Sequence, residues 1–261
     1  MNPVNIINSE NPCNIVVSIP HGSSKITLEM KQSMKKGVVL PNNDWFLNDL
    51  YDFLHELNIT VVSANYSRYV IDVNRNIENK FIQGKYTKSL VYYNTTFDRK
   101  IYDKPLEMEI IEERIKNIYN PYHFSLKREL EKILRLKNKI YLLDLHSFFE
   151  QSKADIILGT REGKTCSKEF LKVVYDAFTS QGFNVKVDEK GLRGGYIVSH
   201  YSSMKNVEAI QIEIRYTAYI ENRYFGEEEV KNVNNILFDD AKERLYKAFY
   251  HIRNKLNVVY N

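Results

Sequence analysis

What this chain lacks narrows the possibilities first. Only two of its 261 residues are cysteine, Cys13 and Cys166, and they are too far apart to form a CxxC pair. They read as two reduced thiols, not as a disulfide framework. No apolar run approaches the roughly 20 residues needed to cross a bilayer. No basic stretch precedes an apolar one at the N-terminus, as a secretion signal would require. The expectation is a cytoplasmic protein with no membrane partner. Pro, Gly and Ser are nowhere gathered into a linker, and no repeat or low-complexity tract interrupts the pattern, so residues 1–261 read as a single domain.

Charge of one sign is also scarce, with 37 basic residues set against 33 acidic ones for a net +4. The densest basic stretch, KRELEKILRLKNK at 127–139, carries acids and apolar residues at helical spacing and reads as a solvated helix face. A nucleic-acid partner is not expected, because no aromatic residues interleave with the basic ones. What is present is an ordinary apolar share of 43% in a chain long enough to bury a large core without staples.

The periodicity alternates between two kinds. Short β-branched or aliphatic runs at 14–19, 59–66, 139–147, 155–159, 183–188 and 207–216 predict strands. Helical spacing predicts helices over 40–57, over 105–137 with a break near Asn120-Pro121, over 167–182 with Ser167 as its cap, and over the last thirty-odd residues. Residues 76–105, with frequent Gly, Asn and Lys and poor periodicity, read as an exposed lid loop. Strands alternating with helices predict an α/β fold, a three-layer α/β/α arrangement around a mostly parallel sheet. Ligands of such sheets gather beyond the carboxyl ends of the strands.

The chemically capable residues fall at those ends. His21 follows VVSIP, His146 follows IYLLDL, and Glu213 lies in IQIEIR; Asp44 opens the first helical stretch. Any one strand-end histidine reads as a hydrogen-bonded loop residue. Two imidazoles and a carboxylate with a fourth position open would instead form a catalytic zinc site. The segment SRYVIDVNRN at 67–76 sets two arginines, an Asp and an Asn just after a strand. A guanidinium fork can grip a carboxylate there, or simply pair with the Asp in a surface loop.

Eight segments in order, SIPHGS (18–23), NDWFLNDLYDF (43–53), SRYVIDVNRN (67–76), YNPYH (119–123), LLDLHSF (142–148), ILGTREGKTC (157–166), RGGYIVSHY (193–201) and IQIEIRYTAYI (210–220), resemble the N-formylglutamate amidohydrolase family. The resemblance implies a central mixed sheet of the zinc-carboxypeptidase and aspartoacylase kind. It implies one zinc, or another divalent ion, held by His21, Asp44 and His146, with Glu213 as the catalytic glutamate and Arg68 near the scissile carbonyl. Asn74 and Arg75 would grip the α-carboxylate of a small N-acyl amino acid, and Arg193 would meet its side-chain carboxylate. Asp144 and Ser147 would orient His146, and Asp72 would fix Arg68 or Arg75. Phe148 and Phe149 stand where the family pattern is more polar, which leaves open another N-acyl amino acid or a small peptide as substrate. A metal-free binding protein on the same scaffold is the reading from a different class.

Overall fold

A strand buried along its whole length needs both of its faces covered. The computed structural model, which describes residues 2–7, 11–78, 82–149 and 152–257, builds its centre from such strands. In chain order the elements are β1 (Val4–Ile7), β2 (Ile15–Ile19), α1 (Leu28–Ser33), α2 (Leu47–Leu50), β3 (Thr60–Ala64), β4 (Gln83–Gly84), β5 (Val91–Tyr92), α3 (Met108–Arg114), α4 (Asn120–Leu134), β6 (Ile140–Phe148), β7 (Ile156–Gly159), α5 (Lys168–Ser180), β8 (Val185–Val187), α6 (Tyr196–Tyr201), β9 (Val207–Arg215) and α7 (Asn235–Asn257). Seven strands form one sheet in the order β1-β3-β2-β6-β9-β7-β8. The run β3, β2, β6 and β9 is parallel throughout. β1 is antiparallel to β3, β7 is antiparallel to β9, and β8 runs parallel to β7. This is the three-layer, mostly parallel α/β fold that the alternation predicts.

Because side chains alternate along a strand, each strand feeds two cores. Ile15, Val17, Leu143, Leu145, Ile210 and Ile212 pack under α2, α5 and α7. Val16, Ile140, Leu142, Val207 and Ala209 pack under α3, α4 and α6. The parallel strands end on one edge of the sheet, so His21, the 67–75 segment, His146 and Glu213 all arrive there.

Several expectations need correction. The helix expected over 40–57 is one turn of α-helix (α2) followed by a 3-10 segment, Asp52–Leu57. Phe46 enters it in the left-handed region and Asn58 leaves it there, and over so short a span apolar spacing does not separate a period of 3.6 from one of 3.0. The break foreseen at Asn120-Pro121 is a π-helical turn, Ile115–Tyr119, between α3 and α4. Pro121 has no N–H to donate and crowds the preceding turn, and the widened turn keeps the two helices continuous. The last helix begins only at Asn235, so the acids at 227–229 precede it. β1 was not legible as a strand. Residues 82–105 are not an exposed lid, since Leu90, Val91, Tyr92, Ile101 and Tyr102 are buried in the core under α3 and α4; residues 79–81 of that stretch lie outside the described ones.

Candidate metal centre

The strand pattern places one polar cluster on one face of the sheet. Ser18 of β2, Asp144 and His146 of β6, and Gln211 and Glu213 of β9 occupy alternate positions on the side that begins with Val16, Leu142 and Ala209. β6 and β9 are in register so that His146 lies opposite Glu213 and Asp144 opposite Gln211. His21 follows Pro20 just beyond β2.

Asp44 reaches the cluster from a loop. Its own N–H bonds to the carbonyl of His21 at 3.2 Å. The carbonyls on either side of it are tied down by two tyrosines that follow β9. Tyr216 donates to the Asn43 carbonyl at 2.6 Å, and Tyr219 donates to the Trp45 carbonyl at 3.0 Å. Ser67 donates to the Asn43 side-chain oxygen at 2.8 Å.

The result is tight. His21 Nδ1 and His146 Nδ1 are 3.1 Å apart, and Asp44 Oδ2 lies 3.1 Å from His146 Nδ1 and 3.7 Å from His21 Nδ1. All three residues are buried, and their ligand atoms lie within 4.8 Å of one another. Each imidazole turns its other nitrogen to a carboxylate: His21 Nε2 to Asp72 Oδ1 at 2.7 Å, His146 Nε2 to Asp144 Oδ2 at 2.9 Å. Asp144 also accepts from Ser18 Oγ at 2.7 Å, and Ser18 meets the Tyr122 hydroxyl at 2.7 Å. With Nε2–H committed outward, both Nδ1 lone pairs point inward at the Asp44 carboxylate. Three electron-pair donors that close require a positive charge among them.

That donor set fits a divalent metal. Two nitrogens bound to one tetrahedral zinc at about 2.0–2.1 Å lie roughly 3.3 Å apart, near the observed separation. The outer carboxylates fix the ring tautomers as they do around metal-bound histidines. In the metal-free protein, protons serve instead. Burial alone would lower the His146 pKa, but the Asp144 charge and the bonds to Asp144 and Asp44 raise it well above the usual imidazole value. Burial would raise Asp44, yet the imidazoles of His146 and His21 hold it well below the usual carboxyl range.

Glu213 behaves differently. Burial pushes its pKa up to about 7, and the charges of His146 and Arg68 oppose that rise without cancelling it. Its Oε1 accepts from Gln211 Nε2 at 2.8 Å, and the other amide atom of Gln211 takes the Gly195 N–H at 2.7 Å.

Asp72 is the hub of the third side. Besides His21 it accepts from the Asn74 N–H at 2.8 Å, from Arg68 Nη2 at 3.0 Å and from the Tyr92 hydroxyl. Burial works against its charge, but His21, Arg68 and Arg75 hold its pKa well below the usual range. Arg68 lies over the Tyr86 ring, 4.8 Å from its centroid. Arg75 Nε is 3.7 Å from Asp72 Oδ2. The side chain of Asn74 is turned inward: its Oδ1 accepts from the Ile197 N–H at 2.8 Å and its Nδ2 lies 3.1 Å from His146 Nε2. A Cβ at position 195 would collide with that amide, which is why glycine stands there. Arg193 is not brought to the cluster; it is half-exposed and pairs with Glu162 at 2.6 Å. Ser147 faces the opposite side of the sheet from His146.

The structure brings His21, Asp44, His146, Glu213 and Arg68, all singled out in the sequence, to one place, with Asp144 beside His146. Sequence reasoning misses Gln211, Ser18 and the role of Asp72 toward His21. The signal for Gln211 and Ser18 was the period of two: each shares a face with a residue already singled out.

The family model described as N-formylglutamate amidohydrolase matches residues 13–220. N-formylglutamate deformylase of Pseudomonas putida is 30% identical over 227 residues, covering 79% of this chain and 82% of that protein. The enzyme of the same description from Pseudomonas aeruginosa is 28% identical over 225 residues, covering 80% and 83%. In fold, the chain is similar to N-formylglutamate amidohydrolase from Ralstonia eutropha JMP134, with a TM-score of 0.76 at 22% identity over 97% of this chain and 100% of that one. A gene product of Agrobacterium tumefaciens gives a TM-score of 0.68 at 15% identity over 97% and 93%.

Proposed function

Because the chain belongs to the N-formylglutamate amidohydrolase family, we propose that it is a metal-dependent hydrolase cleaving N-formyl-L-glutamate to formate and L-glutamate. The observation that carries the reading is the convergence of His21, Asp44 and His146 beside a buried glutamate whose pKa lies near 7. The two Pseudomonas relatives, both N-formylglutamate deformylases, support the choice of substrate.

His21 Nδ1, His146 Nδ1 and a carboxylate oxygen of Asp44 would hold one divalent ion such as zinc. When bound there, the ion supplies Lewis acidity, polarising a carbonyl and acidifying water. Glu213 provides the proton transfer. Its Oε1 is held by Gln211, so Oε2 takes the proton of the attacking water and returns it to the leaving amine nitrogen, a role worth about 10²–10⁴-fold. A pKa near 7 lets one group act as both base and acid at neutral pH. Arg68, fixed between Asp72 and the Tyr86 ring, sets a positive charge where the carbonyl oxygen becomes negative. Arg75, three-quarters buried, is the forked donor for the α-carboxylate. Asn74 fixes the turn that presents it, since its Oδ1 accepts from the Ile197 N–H inside the protein.

No helix among the described residues is long and apolar enough to cross a membrane. The deciding test is formate release from N-formyl-L-glutamate by zinc-loaded protein, with a chelated sample alongside. Chelator-sensitive release is expected. A zinc-bound preparation that releases no formate from this substrate would remove the reading.

A further inference from the structure

The substrate proposed above carries a second carboxylate, and the residue first expected to meet it, Arg193, is paired with Glu162 at the surface. Building on that reading of the reaction, we propose that Arg215 is the anchor for the substrate's side-chain carboxylate. Arg215 closes β9 two residues after Glu213, so its side chain leaves the sheet on the face that carries Glu213 and Gln211. Its backbone is fixed, with its N–H bonded to the Asp155 carbonyl at 2.8 Å and its position in register with Phe148 of β6.

Among the described residues, nothing answers the charge of Arg215. Arg68 and Arg75 share Asp72, and Arg193 has Glu162, whereas Arg215 meets no carboxylate among the described residues. Its Nε is buried without an acceptor. A guanidinium nitrogen in that state costs stability, and a site that holds it there has something to gain when an acceptor arrives.

Distance and surroundings agree with a short acidic side chain. Two residues along a strand span about 6.6 Å. The formyl carbon of extended N-formylglutamate is five bonds from its side-chain carboxyl carbon, roughly 6 Å on ordinary bond lengths. Phe148, Ala154, Ile157 and Leu192 form a small apolar cluster at the same end of the sheet, with Phe148 opposite Arg215 and Ile157 opposite Glu213. That wall suits the two methylenes between the carboxylates.

The test compares N-formyl-L-glutamate with N-formyl-L-glutamine in the wild type, R215M and R215K, with calorimetric binding of L-glutamate and L-glutamine to each. In R215M, kcat/KM for the glutamate substrate should fall about 50-fold, mainly through KM, and that for the glutamine substrate by less than about 5-fold. R215K should recover part of the loss, because it restores charge without the fork. Equal losses on both substrates, with R215K no better than R215M, would mean a packing role and overturn the assignment. So would an unchanged preference in R215M, or the same loss of preference in R193M instead. If the wild type cleaves neither substrate, the deformylase reading falls. Binding then decides separately: glutamate held by the wild type and released in R215M keeps the anchor, and no glutamate binding to the wild type removes it.

Discussion

The two faces of the central sheet are built from the same strands and do opposite work. Toward α2, α5 and α7 the inner residues of β2, β6 and β9 are apolar apart from Glu208 near the start of β9 and Ser147 near the end of β6: Ile15, Val17 and Ile19, then Tyr141, Leu143 and Leu145, then Ile210, Ile212 and Ile214. Toward α3, α4 and α6 the same strands begin apolar, with Val16, Leu142 and Ala209, and turn polar at their carboxyl halves. Ser18, Asp144, His146, Gln211 and Glu213 are all there, and all are buried. Burial of a charged group is tolerable only when it is paired and hydrogen-bonded. The polar half meets that condition for Asp72, Asp144 and the imidazoles. It fails for Glu213, which has one amide donor and a raised pKa. Under the proposed function, the apolar face sets stability and the polar half sets reactivity, and disturbing one should have little effect on the other.

The largest expected effect tests the polar half. His21→Ala removes a proposed ligand, and metal content measured by plasma spectrometry should fall to background, with formate release reduced by on the order of 10⁴ or more. Full metal occupancy in that variant would remove His21 from the set. Glu213→Gln should keep the metal and lower kcat by about 10²–10⁴-fold. The same variant bears on pH. In the metal-free protein the folded pKa of Glu213, about 7, lies above its ordinary 4.5, so the native state binds the proton more tightly than the unfolded chain. The contribution to stability is therefore fully present below about 4.5 and is lost as pH rises to about 7, by up to roughly 3 kcal/mol. Denaturant titrations of chelated protein across that window should show the slope in the wild type and a flatter curve in Glu213→Gln. Identical slopes would mean that Glu213 is not protonated in the native state.

On the apolar face the expected phenotype is reversed. Leu143→Ala leaves a cavity between β6 and the helices above it and should cost about 2–5 kcal/mol. Enzyme that remains folded should turn over within a few-fold of wild type. A loss of kcat as large as that of Glu213→Gln, with stability unchanged, would erase the distinction between the faces.

How much of this could be read beforehand follows from the same comparison. The central strands were legible because a doubly buried strand is a mostly aliphatic run and its polar exceptions stand out: Asp144 and His146 in IYLLDLHSF, Glu213 in IQIEIR. The parallel order put those exceptions on one edge. The details were not legible where they depend on partners far along the chain. The Asp44 loop is shaped by Tyr216 and Tyr219, whose bonds to its flanking carbonyls span more than 170 residues of sequence. Arg193 follows β8 and Arg215 closes β9, and only the position of Glu162 shows that the first is already paired. The 3-10 segment after α2 and the π turn before α4 escaped because spacing reports which residues face inward and not the pitch of the helix that turns them.

The smallest effect, and the sharpest form of the comparison, concerns a single peptide bond. Leu143 and Asp144 are neighbours on β6 that point to opposite faces. Asp144 accepts from His146 Nε2 and from Ser18 Oγ. In Asp144→Asn one amide oxygen can still accept from the imidazole, and the amide nitrogen can donate to the Ser18 oxygen. Orientation is thus retained, while the negative charge that makes His146 a stronger electron-pair donor is lost. Metal affinity should weaken about 10–100-fold, as for other outer partners of metal-bound histidines. Denaturation of the chelated protein should shift far less than in Leu143→Ala. Competition against a chelator of known affinity measures the first quantity and a urea titration the second. If Asp144→Asn unfolds the protein as readily as Leu143→Ala, the polar half is carrying the fold, and the division of labour between the two faces does not hold.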